Sequence, residues 1–284
     1  AGIRGEGDEA FPDVLDAWDE GSFGQESIAN VAWVRQGHVE ETPSRPLIAD
    51  LDDLPIPDRS VYERAHDFFR VDPVKHVITS RGCPFACRYC YNPVARRLYG
   101  RTWFRQRSPA HVLEELRAAL AASPVPPTFS FVDDDLIADR AWAEAFLPAY
   151  ARSVRRPFVM LTMPRHATDP AMARLLADAG CVGVKIGVET GSQRIRYEQL
   201  GRRVSDDEIV AAASTLAAAG IRVSTLNMLG LPHERVADAR QTIQLNRRLR
   251  PTYASFALYQ PYPGTPLAET CRAEGLVDPD YNVD

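Results

Sequence analysis

The sequence predicts an α/β protein in which a parallel sheet carries its helices on the outside. Three observations carry that expectation. From residue 74 onward, short runs of Val, Ile, Phe and Leu alternate with longer segments of helical period, giving six strand–helix units in a row. Helix-start signals stand where the pattern changes: Ser108-Pro109, Asp169-Pro170, and Ser205 with Glu208 three residues on. Gly180 and Gly220 close two of these helices, since a left-handed residue is needed just past a helix end. An open doubly wound sheet satisfies the same pattern, and right-handed crossovers are expected in either case.

Taken in order, the first strand is expected over residues 75–80 and runs into a cysteine-bearing loop. A helix over 112–122 follows, capped by Ser108, then a strand over 128–132 that ends at Asp133-Asp134-Asp135. The remaining expected elements are a helix over 140–153, a strand over 158–163, a helix from Asp169-Pro170 to Gly180 and a strand over 182–189. After them come a helix from Ser205 to Gly220, a strand over 221–229, a helix over 236–249, a strand over 253–260 and a helix starting near Pro266. Upstream, Phe11, Val14, Leu15 and Trp18 recur at helical spacing and Gly21 ends that run. Residues 31–35 and 39–42 flank Gln36-Gly37-His38 as a small hairpin. Prolines 43, 46, 55 and 57 then deny the chain regular structure and make a stiff connector.

With 284 residues, 45% of them hydrophobic, the chain can bury a core for one or two domains. No signal-peptide pattern opens it, and no apolar run approaches the roughly 18 residues that a membrane span needs. Five cysteines, three crowded into one motif, suit a reducing cytoplasm better than a disulfide framework. A net charge of −5 argues against a nucleic-acid partner. Between Pro73 and Leu113 there is nevertheless no acidic residue, while eight basic ones fall there. That stretch reads either as a solvated basic face or as a positive rim that attracts an anionic ligand or reductant. Among 33 basic residues only Lys75 and Lys185 are lysines. No phosphate-binding loop, dinucleotide fingerprint or Ser-His-Asp pattern appears.

The chemistry gathers in Arg81-Gly82-Cys83-Pro84-Phe85-Ala86-Cys87-Arg88-Tyr89-Cys90-Tyr91-Asn92. Cys83, Cys87 and Cys90 stand at CxxxCxxC spacing, tight enough to turn three thiolates toward one point. Three ligands on a four-iron cubane leave one iron open, the mark of a catalytic metal site. A closed zinc site would want a fourth ligand, and His76 lies in a strand-like run upstream. Cys181 and Cys271 fall outside any ligand spacing, and the six histidines are scattered.

The fourth strand gives an orientation. Side chains alternate along a strand, so Val182, Val184, Ile186 and Val188 share the face that packs on helices. Gly183, Lys185, Gly187 and Glu189 then look inward, where a buried charge needs a partner or a ligand. Lys185 and Glu189 could form a structural ion pair or serve a ligand.

The cysteine motif, with the aromatic Tyr89 before its last cysteine, resembles the signature of the radical S-adenosylmethionine (SAM) superfamily. The resemblance implies a partial (β/α)6 barrel, a 4Fe–4S cluster on Cys83, Cys87 and Cys90, and SAM chelating the open iron. It covers roughly residues 75–267. The segment GVKIGVETGS resembles the family's fourth-strand motif, which makes Glu189 and Ser192 SAM contacts. Asp133 and Asp134 stand where the superfamily often places a Gly-Gly-Glu for the SAM amino group, and which of Asp133 to Asp135 faces the site stays open. Arg165 is a candidate for the SAM carboxylate or a substrate. MLGLPHE, with His233 in place of a glycine, and YQPYPGTPL resemble the ends of the fifth and sixth strands.

GEGDE at the start and DLDDLPIPDR in the connector resemble a subfamily with a cobalamin-binding domain before the barrel, here shortened at its N-terminus. The expected division is therefore 1–70 as the end of a Rossmann-like cobalamin domain with hairpin and linker, 71–275 as the barrel, and 276–284 as the start of a further segment. The resemblance implies reductive SAM cleavage to a 5′-deoxyadenosyl radical and cobalamin-dependent methylation of an unactivated carbon in a small molecule. It also implies a flavodoxin- or ferredoxin-type electron donor. Oxidation or ring formation is the alternative outcome, and a non-catalytic metal-binding module the alternative class.

Overall fold

A computed structural model describes residues 1–24, 27–278 and 281 of the chain. The segment expected at 276–284 lies outside the described residues at 279, 280 and 282–284. The chain clusters into two compact units, residues 1–49 with 95–103 and residues 50–94 with 104–284.

In the first unit the helix Ala10–Asp19 accompanies a three-stranded antiparallel sheet of Gly2–Ile3, Val31–Arg35 and His38–Glu41. Ala17, Ile28 and Val31 form its small core. Phe23 sits 4.9 Å from Trp33 and 5.3 Å from Trp18, tilted to both. Phe11, Leu15 and Trp18 remain exposed.

The second unit holds six parallel strands: β1 (Val74–Val77), β2 (Thr128–Phe131), β3 (Phe158–Thr162), β4 (Cys181–Glu189), β5 (Arg222–Leu229) and β6 (Tyr253–Leu258). They lie in the order β6-β5-β4-β3-β2-β1. Each strand therefore pairs with its predecessor in sequence, and the order never reverses. That excludes the doubly wound arrangement, whose strand order turns back on itself, and leaves an open partial barrel. The helices following the strands in turn are α1 (Pro109–Ala122), α2 (Arg140–Ser153), α3 (Pro170–Asp178), α4 (Asp206–Ala218), α5 (Val236–Leu249) and α6 (Pro266–Ala273), with a short helix Gln193–Glu198 between β4 and α4.

The caps expected from sequence are present. Ser108 Oγ accepts from the His111 N–H at 3.2 Å, and Ser205 and Glu208 form a reciprocal capping box. The core fills the space between sheet and helices. Phe131 meets Phe146 and Phe158 edge-on at 5.7 and 5.4 Å, with Tyr150, Leu116 and Met160 fully buried around them. Each such side chain contributes about 1.5–3 kcal/mol by leaving water.

Three departures from the sequence expectation trace to specific contacts. The first strand ends at Val77 because the Thr79 N–H donates to the Asp133 carboxylate at 2.9 Å instead of to the ladder. Ser80–Arg81 then pairs antiparallel with Arg105–Gln106. The connector contains regular structure: a 3-10 turn at Leu51–Asp53 and two short helices, Ser60–Ala65 and Asp67–Val71. Residues 50–70 cluster with the sheet unit. Leu51 is buried, the Ser108 N–H donates to Asp52 Oδ1 at 2.8 Å, and Arg59 pairs with Glu115 at 2.7 Å. Among the described residues no helix is long and apolar enough to cross a membrane.

The turn after β4 is pressed onto α5. A Cβ on Gly191 would lie 2.4 Å from the Gln241 carbonyl carbon and oxygen. Backbone cannot give way there as a flexible side chain could, so Gly191→Ala is expected to destabilise the unit by about 1–3 kcal/mol. A lower midpoint in urea unfolding would show it; an unchanged midpoint would refute the packing.

Candidate active site

The cysteine loop is fixed at both ends by backbone geometry. Gly82 adopts a φ of 82°, which a side chain would strain, and turns the chain out of Ser80–Arg81. The Cys90 N–H donates to the Cys87 carbonyl at 3.0 Å, closing the CxxC turn. In the middle, the Arg88 N–H donates to Leu200 O at 2.9 Å, and Arg88 O accepts from the Leu267 N–H at the start of α6 at 3.0 Å. The loop thus hangs between the segment that follows the short helix Gln193–Glu198 and the helix after β6, at the C-terminal ends of the strands. That is the end where side chains from several strands of a barrel converge.

All three thiols are free; Cys87 is buried, and Cys83 and Cys90 are half-buried. Among the described residues no three His, Cys, Asp or Glu side chains already form a closed metal-holding group. The donor set nevertheless fits an iron–sulfur cluster. The sulfurs are close enough to disfavour one another's charge, and burial pushes Cys83 up to about 12 and raises Cys87. Two nitrogen donors face the sulfurs, as is usual around cluster thiolates. Asn92 Nδ2 lies 3.3 Å from Cys90 Sγ, and Arg202 Nη1 lies 3.8 Å from Cys87 Sγ.

Glu189 ends β4 in a left-handed conformation, φ 64°, which is uncommon for a residue with a side chain and marks local strain. The turn aims its carboxylate back over Gly187. A Cβ on Gly187 would stand 2.3 Å from Glu189 Oε1 and 2.9 Å from Arg202 Nη2. The missing side chain therefore leaves room for both the acid and the guanidinium, which border the same space. Arg202 Nη2 also donates to Gly187 O at 2.7 Å. Burial raises the Glu189 carboxyl above its ordinary range, and Arg202 and a hydrogen bond from Tyr89 offset only part of that rise. For Arg202, burial alone would weaken the charge; Tyr89, Glu189 and Cys87 outweigh it and keep the guanidinium protonated. Its Nε is buried without a hydrogen-bond partner.

The three aspartates after β2 divide by parity. Asp133 is buried and accepts from the Thr79 N–H, Thr79 Oγ1 and Ser80 Oγ. Asp135 is buried and accepts from Thr162 Oγ1 at 2.6 Å and the Met163 N–H at 3.2 Å, with His166 Nδ1 at 2.8 Å. Asp134 alone is exposed, and its Oδ2 accepts from Asn92 Nδ2 at 3.0 Å beside Cys90.

Cys83, Cys87, Cys90, Tyr89 and Glu189 thus share one neighbourhood, with Asp134 at its edge. Ser192 is engaged elsewhere, and Arg165 packs against the cysteine loop at Phe85 while bonding outside it. The Ser192 hydroxyl donates to Asp238 Oδ1 at 2.6 Å and ties the loop after β4 to α5. Arg165 lies 5.7 Å over the Phe85 ring, donates to Arg203 O and stands 3.9 Å from Glu208. Lys185 is exposed and does not pair with Glu189, because the face below Glu189 carries no helix to bury it. Arg202 and Asn92 escaped the sequence reading. Asn92 follows the last cysteine by two residues, but Arg202 stands 112 positions beyond Cys90 with no spacing that announces it.

Comparison with known proteins yields a match of residues 77–245 to the radical SAM superfamily. An uncharacterized methyltransferase of Pyrococcus horikoshii is 28% identical over 97% of this chain and 58% of its own. An anaerobic magnesium-protoporphyrin IX monomethyl ester cyclase of Rubrivivax gelatinosus is 25% identical over 93% of this chain and 48% of its own. The chain spans about half the length of these curated relatives. The solved structure of TsrM from Kitasatospora setae, a radical SAM methyltransferase with cobalamin and a [4Fe-4S] cluster bound, superimposes with a TM-score of 0.71 at 20% identity, covering 95% of this chain and 54% of that one.

Proposed function

Because the chain belongs to the radical SAM superfamily, we propose that its sheet unit cleaves SAM reductively and that the protein methylates an unactivated carbon of a small molecule with the help of cobalamin. The observation that carries the first half is the single neighbourhood joining Cys87 to Glu189 through Arg202. When bound, a 4Fe–4S cluster would supply one electron to SAM, giving methionine and a 5′-deoxyadenosyl radical that abstracts hydrogen.

This chain's residues have separable tasks in that reading. Cys83, Cys87 and Cys90 would hold the cluster through their thiolates. Asn92 and Arg202 donate toward the sulfurs of Cys90 and Cys87 and offset their charge. The partnerless Nε of Arg202 and the Glu189 carboxylate offer one donor and one acceptor to the two charged ends of an amino acid. Asp134, exposed beside Asn92, is the aspartate available to an ammonium group. Asp133 and Asp135 position the loops by their own hydrogen bonds.

Cobalamin and methyl transfer are supported by the methyltransferase names among the relatives and by the cobalamin-bound structural neighbour. From the resemblance of GEGDE and DLDDLPIPDR alone we further propose that residues 1–70 are the end of a cobalamin-binding domain with its linker, and that a flavodoxin- or ferredoxin-type protein in the cytoplasm supplies the electron. Ring formation is the second reading, favoured by the cyclase relative.

The test is anaerobic turnover with reductant, cobalamin and methyl-labelled SAM. Iron near four per chain and 5′-deoxyadenosine formation are expected for SAM cleavage. Label in a product alongside deoxyadenosine supports methylation; product without label supports ring formation. Zinc in place of iron would overturn both.

A further inference from the structure

We propose that the uncovered face of β4, below Glu189, binds the carboxylate of an apolar small molecule, with Lys185 as its counter-ion. The proposal rests on the catalytic reading above, since it makes that ligand the substrate.

Alternation assigns the two faces of β4. Val184, Ile186 and Val188 are buried against helices, while Lys185 between them is exposed. The position of a Cβ on Gly187 opens onto Glu189 and Arg202, so the face bearing Lys185 runs into the cysteine site. Register fixes its surroundings. Leu161 of β3 and Ser224 of β5 lie beside Lys185, with Tyr253 of β6 beyond Ser224. One row below, Val159 flanks Gly183; one row above, Leu226 flanks Gly187. Gly183 therefore leaves bare backbone on one side of the ammonium, while on the other the space over Gly187 leads to Glu189 and Arg202, and half-buried aliphatic side chains flank both rows.

Lys185 is singular in charge as well. In a chain with 31 arginines among its 33 basic residues, the other lysine, Lys75, is buried and paired with Glu63 at 3.3 Å. Among the described residues no carboxylate is found paired with Lys185. Arg222, one row further from the site, donates its Nε to Val182 O at 3.2 Å. A neutral ligand lying over this face would strip water from the Lys185 ammonium and give nothing back, which is strongly unfavourable. A carboxylate restores the lost interaction, and Leu161, Val159 and Leu226 suit an apolar body. Four residues of strand separate Lys185 from Glu189, about 13 Å of backbone, so the acid and the reacting carbon should be separated by a distance of that order.

The experiment uses the full chain, reconstituted anaerobically, with naphthalene-2-acetate and its neutral amide as probes. Trinitrobenzenesulfonate should label Lys185 readily and Lys75 slowly, read by peptide mass spectrometry. The carboxylate is expected to slow labelling of Lys185 at least tenfold, and the amide to leave it unchanged. Lys185→Met should lose most of the carboxylate's fluorescence-detected affinity and Lys185→Arg should keep it, with iron content reporting folding in each. Equal protection by acid and amide, or undiminished carboxylate binding by Lys185→Met, would overturn the proposal. Protection by the acid alone in protein that assembles no cluster would uphold the site while removing the catalytic reading.

Discussion

Replacing Cys83, Cys87 or Cys90 singly by alanine is expected to abolish cluster assembly and SAM cleavage while leaving the fold in place. The loss is all-or-none because there is no spare ligand. Cys181 begins β4, buried, and its thiol faces the Gly183 carbonyl at 3.6 Å. Cys271 is buried on α6, next to Tyr259. Neither belongs to the loop. Two remaining thiolates cannot keep a cubane with one open iron. The fold should survive because the loop is held by the Arg88 backbone bonds to Leu200 and Leu267, not by the sulfurs. Iron and sulfide per chain and 5′-deoxyadenosine yield report the outcome, with Cys181→Ala as the control that keeps iron. Any one of the three variants that retained cluster and SAM cleavage would refute the assignment.

Arg202→Met should be the most damaging change outside the cysteines. It removes the cation facing Glu189 and the donor to Cys87 Sγ and Gly187 O together. Leaving the buried Glu189 carboxyl without the nearby guanidinium, and Gly187 O without its donor, costs about 1–3 kcal/mol. Urea unfolding should register that loss. The double variant Arg202→Met/Glu189→Gln should regain a good part of it, because the unpaired charge is gone. SAM affinity should stay low in the double variant, since both groups offered to the amino acid are absent. Glu189→Gln alone should weaken SAM binding without unfolding the chain. Calorimetric SAM binding equal to wild type in all three variants would refute the site.

The helices were legible because their ends announce themselves. Ser108-Pro109, Asp169-Pro170 and the Ser205/Glu208 box fix their first turns by bonds within four residues, so neighbouring sequence suffices. Strand limits were less secure. Thr79 leaves the β1 ladder for the side chain of Asp133, 54 residues away, and no local pattern contains that choice. The helices at 60–65 and 67–71 were missed because prolines dominate the preceding connector and no sustained apolar period marks them.

What the sequence determined by itself was the α/β class, the order of strand and helix, and the three-cysteine loop, because each rests on residues near one another in the chain. Parity assigned Glu189 to the inward face of β4, and in the structure it lies near Cys87, but parity could not foresee that its backbone would turn left-handed there. Nor could it tell that Lys185, on the same face, would stay in solvent, since burial depends on whether another layer covers the sheet. Only the tertiary structure brought Arg202 to Cys87 and Glu189, and only it separated Asp134 from Asp133 and Asp135. A buried charge is positioned by partners distant in sequence, and which partners those are is settled when the strands assemble.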